Sequence, residues 1–450
     1  MPPAACPCAI GTTSWPSLAY ANGMTDAMTP PGLTRQQIKT LSLAALGGAL
    51  EFYDFVIFVF FAATMGALFF PADMPEWLKL VQTFGIFAAG YLARPLGGIV
   101  MAHFGDLSGR KRMFMLSILL MAIPTLLMGL LPTYASVGVL APILLLLLRI
   151  MQGAAIGGEA PGAWVFVSEH VSPRHRVFAC GALSAGLCSG ILLGSLVARM
   201  INAAFDESEV LAWAWRLPFI VGGVFGLLAM FLRRKLHETP VFAEMKERRS
   251  LDAGLPLKTV LREHGGAVLL AMLLTWLLTA AVVVTLLMMP TLLQGLGVSR
   301  ADALSGNTLA ICATVIANLV AGYLADRFGP GRVLVLWSAL LGIAFWVFYS
   351  TALAGAYSPW LYMLAGSAVG ITALVPGIAV GGFPPQVRFS GLSFSYNVAY
   401  AIAGGLTPIL LSLSIKDNPA APMHYIAMMA VLGICLGLYV SMRQPRLRTA

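Results

Sequence analysis

Charge is the scarcest thing in this chain of 450 residues: Asp, Glu, Lys and Arg together make up only 10% of it. A soluble globular domain carries roughly 25%. With 59% hydrophobic residues and a mean hydropathy of +0.84, a single water-soluble core is excluded and a protein of many membrane spans is expected. Catalytic signatures are missing as well. No Gly-rich phosphate loop, no zinc-spaced Cys/His set and no G-x-S-x-G occurs, so neither an enzyme nor a metal or organic cofactor is expected. Of the six cysteines, Cys180, Cys188, Cys312 and Cys435 sit in apolar runs and read as small packing residues. Cys6 and Cys8 have no partner Cys or His nearby. The net charge of +9 is scattered over short loops rather than gathered on one face. That excludes a nucleic-acid partner and fits topology-setting Lys and Arg beside an anionic membrane. The first 34 residues lack a basic start and an apolar run, so they are not a signal peptide. Segment 1–39 reads as a disordered cytoplasmic N-terminus, with Met24 or Met28 as alternative starts.

What is present begins with residues 44–60, AALGGALEFYDFVIFVF. This run is apolar enough to cross a bilayer, yet it places Glu51 and Asp54 one helical turn apart on one face. A carboxylate in hydrocarbon costs roughly 3 kcal/mol on insertion scales, so such residues mark an ion or substrate path. Asp54, Glu51 and, further on, Glu159 are the candidate proton-coupling acids.

Runs of about 20 apolar residues predict twelve helices spanning the membrane: 40–70, 80–103, 113–131, 137–158 (or on to 167), 177–201, 216–232, 265–290, 303–325, 333–353, 360–383, 391–413 and 425–442. The all-α chain then divides into six-helix bundles at 40–232 and 265–442, joined by a charged linker, 233–264, with a tail at 443–450. Arg110, Lys111, Arg112, Arg174, Arg176, Arg233, Arg234, Arg327, Arg332 and Arg388 fall on one side, which positive-inside places in the cytoplasm with both termini. An internal repeat supports the division. HFGDLSGRKR (103–112) follows span two and YLADRFGPGR (323–332) follows span eight, so Asp106 and Gly109 match Asp326 and Gly329.

These residues resemble the loop signature of the major facilitator superfamily. ALEFYDF (49–55), ARPLGG (93–98), RIMQGAAIGGE (149–159), SEHVSPRHR (168–176), WAWRLPF (213–219), ETPVF (238–242) and RFSGLSFSYNVAYAIAGG (388–405) narrow the resemblance to its metabolite:proton symporter branch. That branch contains carriers of organic acids and of betaine-type osmolytes. The resemblance implies the major facilitator fold, a site between the halves, a bacterial-type inner membrane and protons as the coupling ion. It also implies a cytoplasmic gate at Gly105, Asp106, Gly109, Arg110 and Arg112, with Asp326 and Arg327 as the second-half counterpart. Leu107 and Ala102 depart from the family loop's usual Arg and Gly, and Pro330 and Gly331 replace basic residues. Both departures imply weaker latches.

Arg94 and Arg149 lie mid-span. A guanidinium keeps its proton in a protein and offers a planar fork for carboxylates, which makes both candidate substrate anchors; a permanent ion pair with Asp54 or Glu159 is the alternative. Arg149, Gln152, Ile156 and Glu159 share a helix stripe about 80° wide. Tyr53, Gln152, Trp276, Tyr396, Asn397 and Tyr400 complete the expected substrate-binding set, with helix–helix bonding as the competing role in the second half. Gly186, Gly190 and Gly194 read as close helix packing. The leading expectation is proton-coupled uptake of a small, anionic metabolite by alternating access in a monomer. Its rivals are an exporter on the same fold and a membrane sensor; no signalling domain follows residue 442, which disfavours the sensor.

Overall fold

The computed structural model describes residues 33–108, 110–233 and 256–443, with Glu244 and Glu247 as isolated positions. Most of the expected linker and both chain ends lie outside them. The spans are α1 (Arg35–Phe60), α2 (Glu76–Ser108), α3 (Arg110–Leu130), α4 (Leu140–Glu169), α5 (Arg176–Ala204) and α6 (Arg216–Arg233). The second set is α7 (Gly265–Gly295), α8 (Arg300–Phe328), α9 (Pro330–Leu353), α10 (Pro359–Gly381), α11 (Arg388–Asp417) and α12 (Ala421–Arg443). Ten are long and apolar enough to cross a membrane by themselves. α6 becomes an eleventh when joined to the bent segment before it, and Met115–Leu130 is a shorter apolar stretch within α3. The described residues thus hold twelve helices in the expected span positions, ten or eleven of them long and apolar enough to cross; hydrocarbon leaves a backbone no partner but its own helix.

Local chemistry sets the breaks. Thr34 and Gln37 form a reciprocal capping box that starts α1. That start lies ahead of the expected 40–70, and the span ends at Phe61 instead of running on to Phe70; a short helix, Ala62–Phe69, follows. α4 continues through Pro161 to Glu169, well beyond the expected Gly158. A π-helical stretch, Val283–Met288, interrupts α7, and α10 is broken at Val369 and Gly370.

Helix pairs meet through glycine. A methyl on Gly153 of α4 would be driven into the Gly90 carbonyl of α2, and one on Gly157 into the Arg94 carbonyl. Gly186 and Gly190 of α5 meet Ala45 and Ala49 of α1 in the same way, which fits the spacing read from the sequence. These contacts run in parallel register, so the start of α1, the end of α4 and the start of α5 share one end of the bundle. That end also carries Arg174, Arg176 and Arg388, and is called the basic end below.

Two prolines prepare the seam between the halves. A proline has no N–H for the carbonyl four residues before it, so Pro161 frees the Gly157 carbonyl and Pro376 frees that of Thr372. Asn397 Nδ2 of α11 donates to Gly157 O at 2.6 Å and Ser393 Oγ at 3.3 Å. Ser184 Oγ of α5 donates to Thr372 O at 3.1 Å. The freed acceptors become bonds from one half to the other. Gly153→Ala should overpack α2 against α4 at about 1–3 kcal/mol. It should lower the apparent unfolding temperature in detergent, whereas Gly266→Ala, where nothing lies within 4 Å, should leave it unchanged. Equal temperatures for both variants would contradict the close packing.

Candidate functional site

Phe87, Tyr91 and Arg94 lie at i, i+4 and i+7 on α2, so one face of that helix presents two rings and a guanidinium. Arg94 is 1% exposed. Its guanidinium carbon lies 4.4 Å from the ring centre of Tyr400, 5.4 Å from Tyr91 and 5.6 Å from Tyr396. Nε and Nη2 have no hydrogen-bond partner, and no carboxylate pairs with Arg94 among the described residues. Arg149 of α4, also fully buried, lies 4.4 Å above the Phe58 ring and 5.1 Å from Phe87. The rings form a continuous row. Phe58 and Phe87 stack at 6.3 Å, Phe87 meets Tyr91 edge-on at 5.0 Å, and Tyr91 stacks on Tyr400 at 5.7 Å. Tyr400 and Tyr396 are 5.3 Å apart, and Trp164 meets Tyr396 edge-on at 5.1 Å. Both halves contribute to the row, and each arginine has several rings within cation–π range.

A polar chain leads from Arg149 into the first half. Its Nη1 donates to Gln152 Oε1 at 2.7 Å, and Gln152 Nε2 donates to Thr125 Oγ1 of α3 at 2.6 Å. Asp54 lies beside Thr125, against Gly222 and Gly226 of α6; a methyl on Gly222 would meet Asp54 Oδ1 at 2.5 Å and Thr125 Cγ2 at 3.0 Å. Asp54 is 1% exposed, and both of its oxygens lack a hydrogen-bond partner. Direct pairing of Arg94 with Asp54, one alternative read from the sequence, does not occur. Glu159, in the same stripe as Arg149, turns to α3 and accepts from Ser117 Oγ.

Several expected ligands stand elsewhere. Tyr53 donates to the Pro218 carbonyl at 2.9 Å and packs edge-on against Phe225, so it faces α6, as Asp54 does. Trp276 is 40% exposed and donates to Tyr425 Oη of α12 at 2.9 Å, outside the aromatic row. Asn397 ties α11 to α4 through Gly157 and keeps its Oδ1 without a partner. The side chains of Glu51, Asp106 and Arg110, the surroundings of Gly105, and Gly109 altogether lie outside the described residues. Arg112 and Arg327 are exposed.

At the basic end the halves are tied by Asp326, one of the expected gate residues, and by a pair that was not expected. Asp326 Oδ1 and Oδ2 accept from the Val177 and Phe178 amides at the start of α5, at 3.0 and 2.8 Å. Arg388 of α11 pairs with Glu169 of α4 at 2.9 Å, the Glu169 side chain being 1% exposed. Sequence reading missed that pair, together with Tyr91, Phe58, Phe87 and Trp164. The signal for Tyr91 was its place one turn before Arg94; Glu169 and Arg388 both sat in motifs whose charges were never paired. Further in, Asn318 of α8 meets Cys188 of α5 at 3.7 Å.

Comparison with known proteins agrees with this architecture. The model of the Major Facilitator Superfamily matches residues 44–408. The chain is 32% identical to the glycine betaine/proline/ectoine/pipecolic acid transporter OusA of Dickeya dadantii, over 89% of this chain and 83% of that protein. It is 34% identical to an inner membrane metabolite transport protein, YhjE, of Escherichia coli, over 88% and 92%. Among solved structures, the proton:xylose symporter XylE bound to 6-bromo-6-deoxy-D-glucose superposes with a TM-score of 0.75 at 16% identity, covering 91% of this chain and 96% of that one.

The Glu169–Arg388 pair should hold the basic end shut by about 1.5–3 kcal/mol, the range for hydrogen bonds to charged groups. In protein with Cys6, Cys8, Cys312 and Cys435 replaced by Ser, Glu169→Gln should raise maleimide labelling of the buried Cys180 and Cys188 by about tenfold or more. Labelling equal to the parent would remove the pair from the gate.

Proposed function

This chain belongs to the major facilitator superfamily, and from that premise we propose that it is a proton-coupled importer of a compact zwitterion of the proline or glycine betaine class. Membrane transport follows from the family; the passenger and the coupling ion are the proposal. The observation that carries it is the burial of Arg94 where the halves meet, and of Arg149 and Asp54 behind it in the first half, with the Arg94 fork and both Asp54 oxygens lacking partners. Desolvating an ion costs several kcal/mol, so the Arg94 charge, kept without a fixed counterion among the described residues, suits a partner that comes and goes.

The simple carboxylate expected from the arginines gives way to a zwitterion on two grounds. The relatives' names specify proline and betaine, and aromatic rings outnumber further cations around Arg94. Asp54 is the proposed proton carrier. Dry surroundings penalise the charged form of a carboxyl, and water or a cation favours it, so movement of α1 against α3 and α6 would change whether Asp54 holds a proton. The chain Arg149–Gln152–Thr125 would carry that change between the substrate side and Asp54. The basic end is placed in the cytoplasm, with both termini, by the positive-inside rule. Glu169–Arg388 and Asp326 would open there to release the passenger.

In proteoliposomes, an inward proton gradient should drive accumulation of labelled proline or glycine betaine. Asp54→Asn should abolish accumulation while preserving exchange of labelled for unlabelled solute. Undiminished accumulation in that variant would overturn the role of Asp54, and absence of any uptake by the parent would overturn the substrate class.

A further inference from the structure

We propose that Tyr91, Tyr396 and Tyr400 form a cation subsite for the substrate's quaternary or secondary ammonium group, which Arg94 occupies until a ligand carboxylate draws its guanidinium away. The inference rests on the zwitterion reading above and deepens it.

The three rings come from both halves, α2 supplying one and α11 two, and all are buried, at 7%, 3% and 5% exposure. They surround a single cation, and that cation belongs to the protein. An aromatic cage of this kind is the general solution for a methylated ammonium, whose charge is spread over carbon and makes no hydrogen bonds. The two donors of Arg94 left without partners, Nε and Nη2, form the edge of the guanidinium that takes a carboxylate in bidentate fashion. Ligand and protein therefore offer matching halves of an exchange. The carboxylate pairs with the Arg94 fork, and the ammonium, one carbon away, takes the place of the guanidinium against the rings.

Charge decides who can make that exchange. A bare cation such as choline must push Arg94 aside without giving it a counterion, leaving two buried like charges. A bare anion can pair with the fork but draws nothing from the rings. Only a zwitterion satisfies both sites and adds no net charge to them. Because the cage is built from both halves, filling it with a ligand also changes what holds α2 and α11 together.

The test compares three probes on the purified full-length protein by calorimetry: glycine betaine, choline, and 3,3-dimethylbutyrate, which has the shape of betaine with carbon in place of the cationic nitrogen. Betaine should bind about tenfold or more tightly than either of the others, in line with cation–π energies at desolvated sites. Tyr400→Leu and Tyr91→Leu should weaken betaine by about tenfold while leaving 3,3-dimethylbutyrate unchanged, so the ratio of the two affinities falls. Tyr400→Phe, which keeps the ring, should preserve that ratio. The ratio is read within one variant and does not depend on how well that variant is packed. A ratio unchanged in both Leu variants overturns the cage while leaving betaine transport intact. No binding of betaine or proline by the parent overturns the substrate class itself.

Discussion

Two guanidinium groups held away from water among aromatic rings are the constraint on which the rest depends. A cation–π contact contributes about 0.5–2 kcal/mol, whereas removing an ion from water costs several kcal/mol even after relaxation. The row from Phe58 to Trp164 therefore offsets only part of the cost of burying Arg94 and Arg149. What remains unsatisfied at Arg94 is specific in shape: a planar fork that faces no anion among the described residues. A site of that kind is selective because its deficit has a geometry.

The seam between the halves follows from a different shortage. In hydrocarbon each backbone carbonyl needs a partner, and Pro161 and Pro376 each remove one from its own helix. Asn397, Ser393 and Ser184 supply replacements from the opposite half. Directional bonds on proline-freed acceptors, the Glu169–Arg388 pair and the Asp326 caps at the basic end thus fix the register of halves that also share apolar and aromatic contacts. Such bonds are discrete and can be exchanged for others as a unit.

The spans were legible in the sequence because bilayer thickness dictates the length of an apolar run. Asp54, Arg94 and Arg149 stood out because charge is so rare between them. What pattern could not supply was direction. Tyr53 and Asp54 are adjacent, and both turn to α6, Tyr53 bonding Pro218 and Asp54 packing on Gly222. Which helix lies beside α1 is a tertiary fact that no local period encodes. Trp276 was expected to line the site but is 40% exposed and donates to Tyr425. Glu169 and Arg388 are 219 residues apart, and neither motif names its partner. Tyr91 was within reach: an aromatic one turn from a buried Arg is a cation–π partner by helix geometry alone.

A zwitterion carries no net charge, so one proton moving with it makes each transport cycle carry one positive charge inward; a monocarboxylate moving with one proton would carry none. Current recorded from proteoliposomes on a solid-supported membrane therefore tests passenger and coupling together. Addition of proline or glycine betaine at matched pH should produce an inward positive transient that saturates with solute concentration. Solute uptake without current would contradict the account.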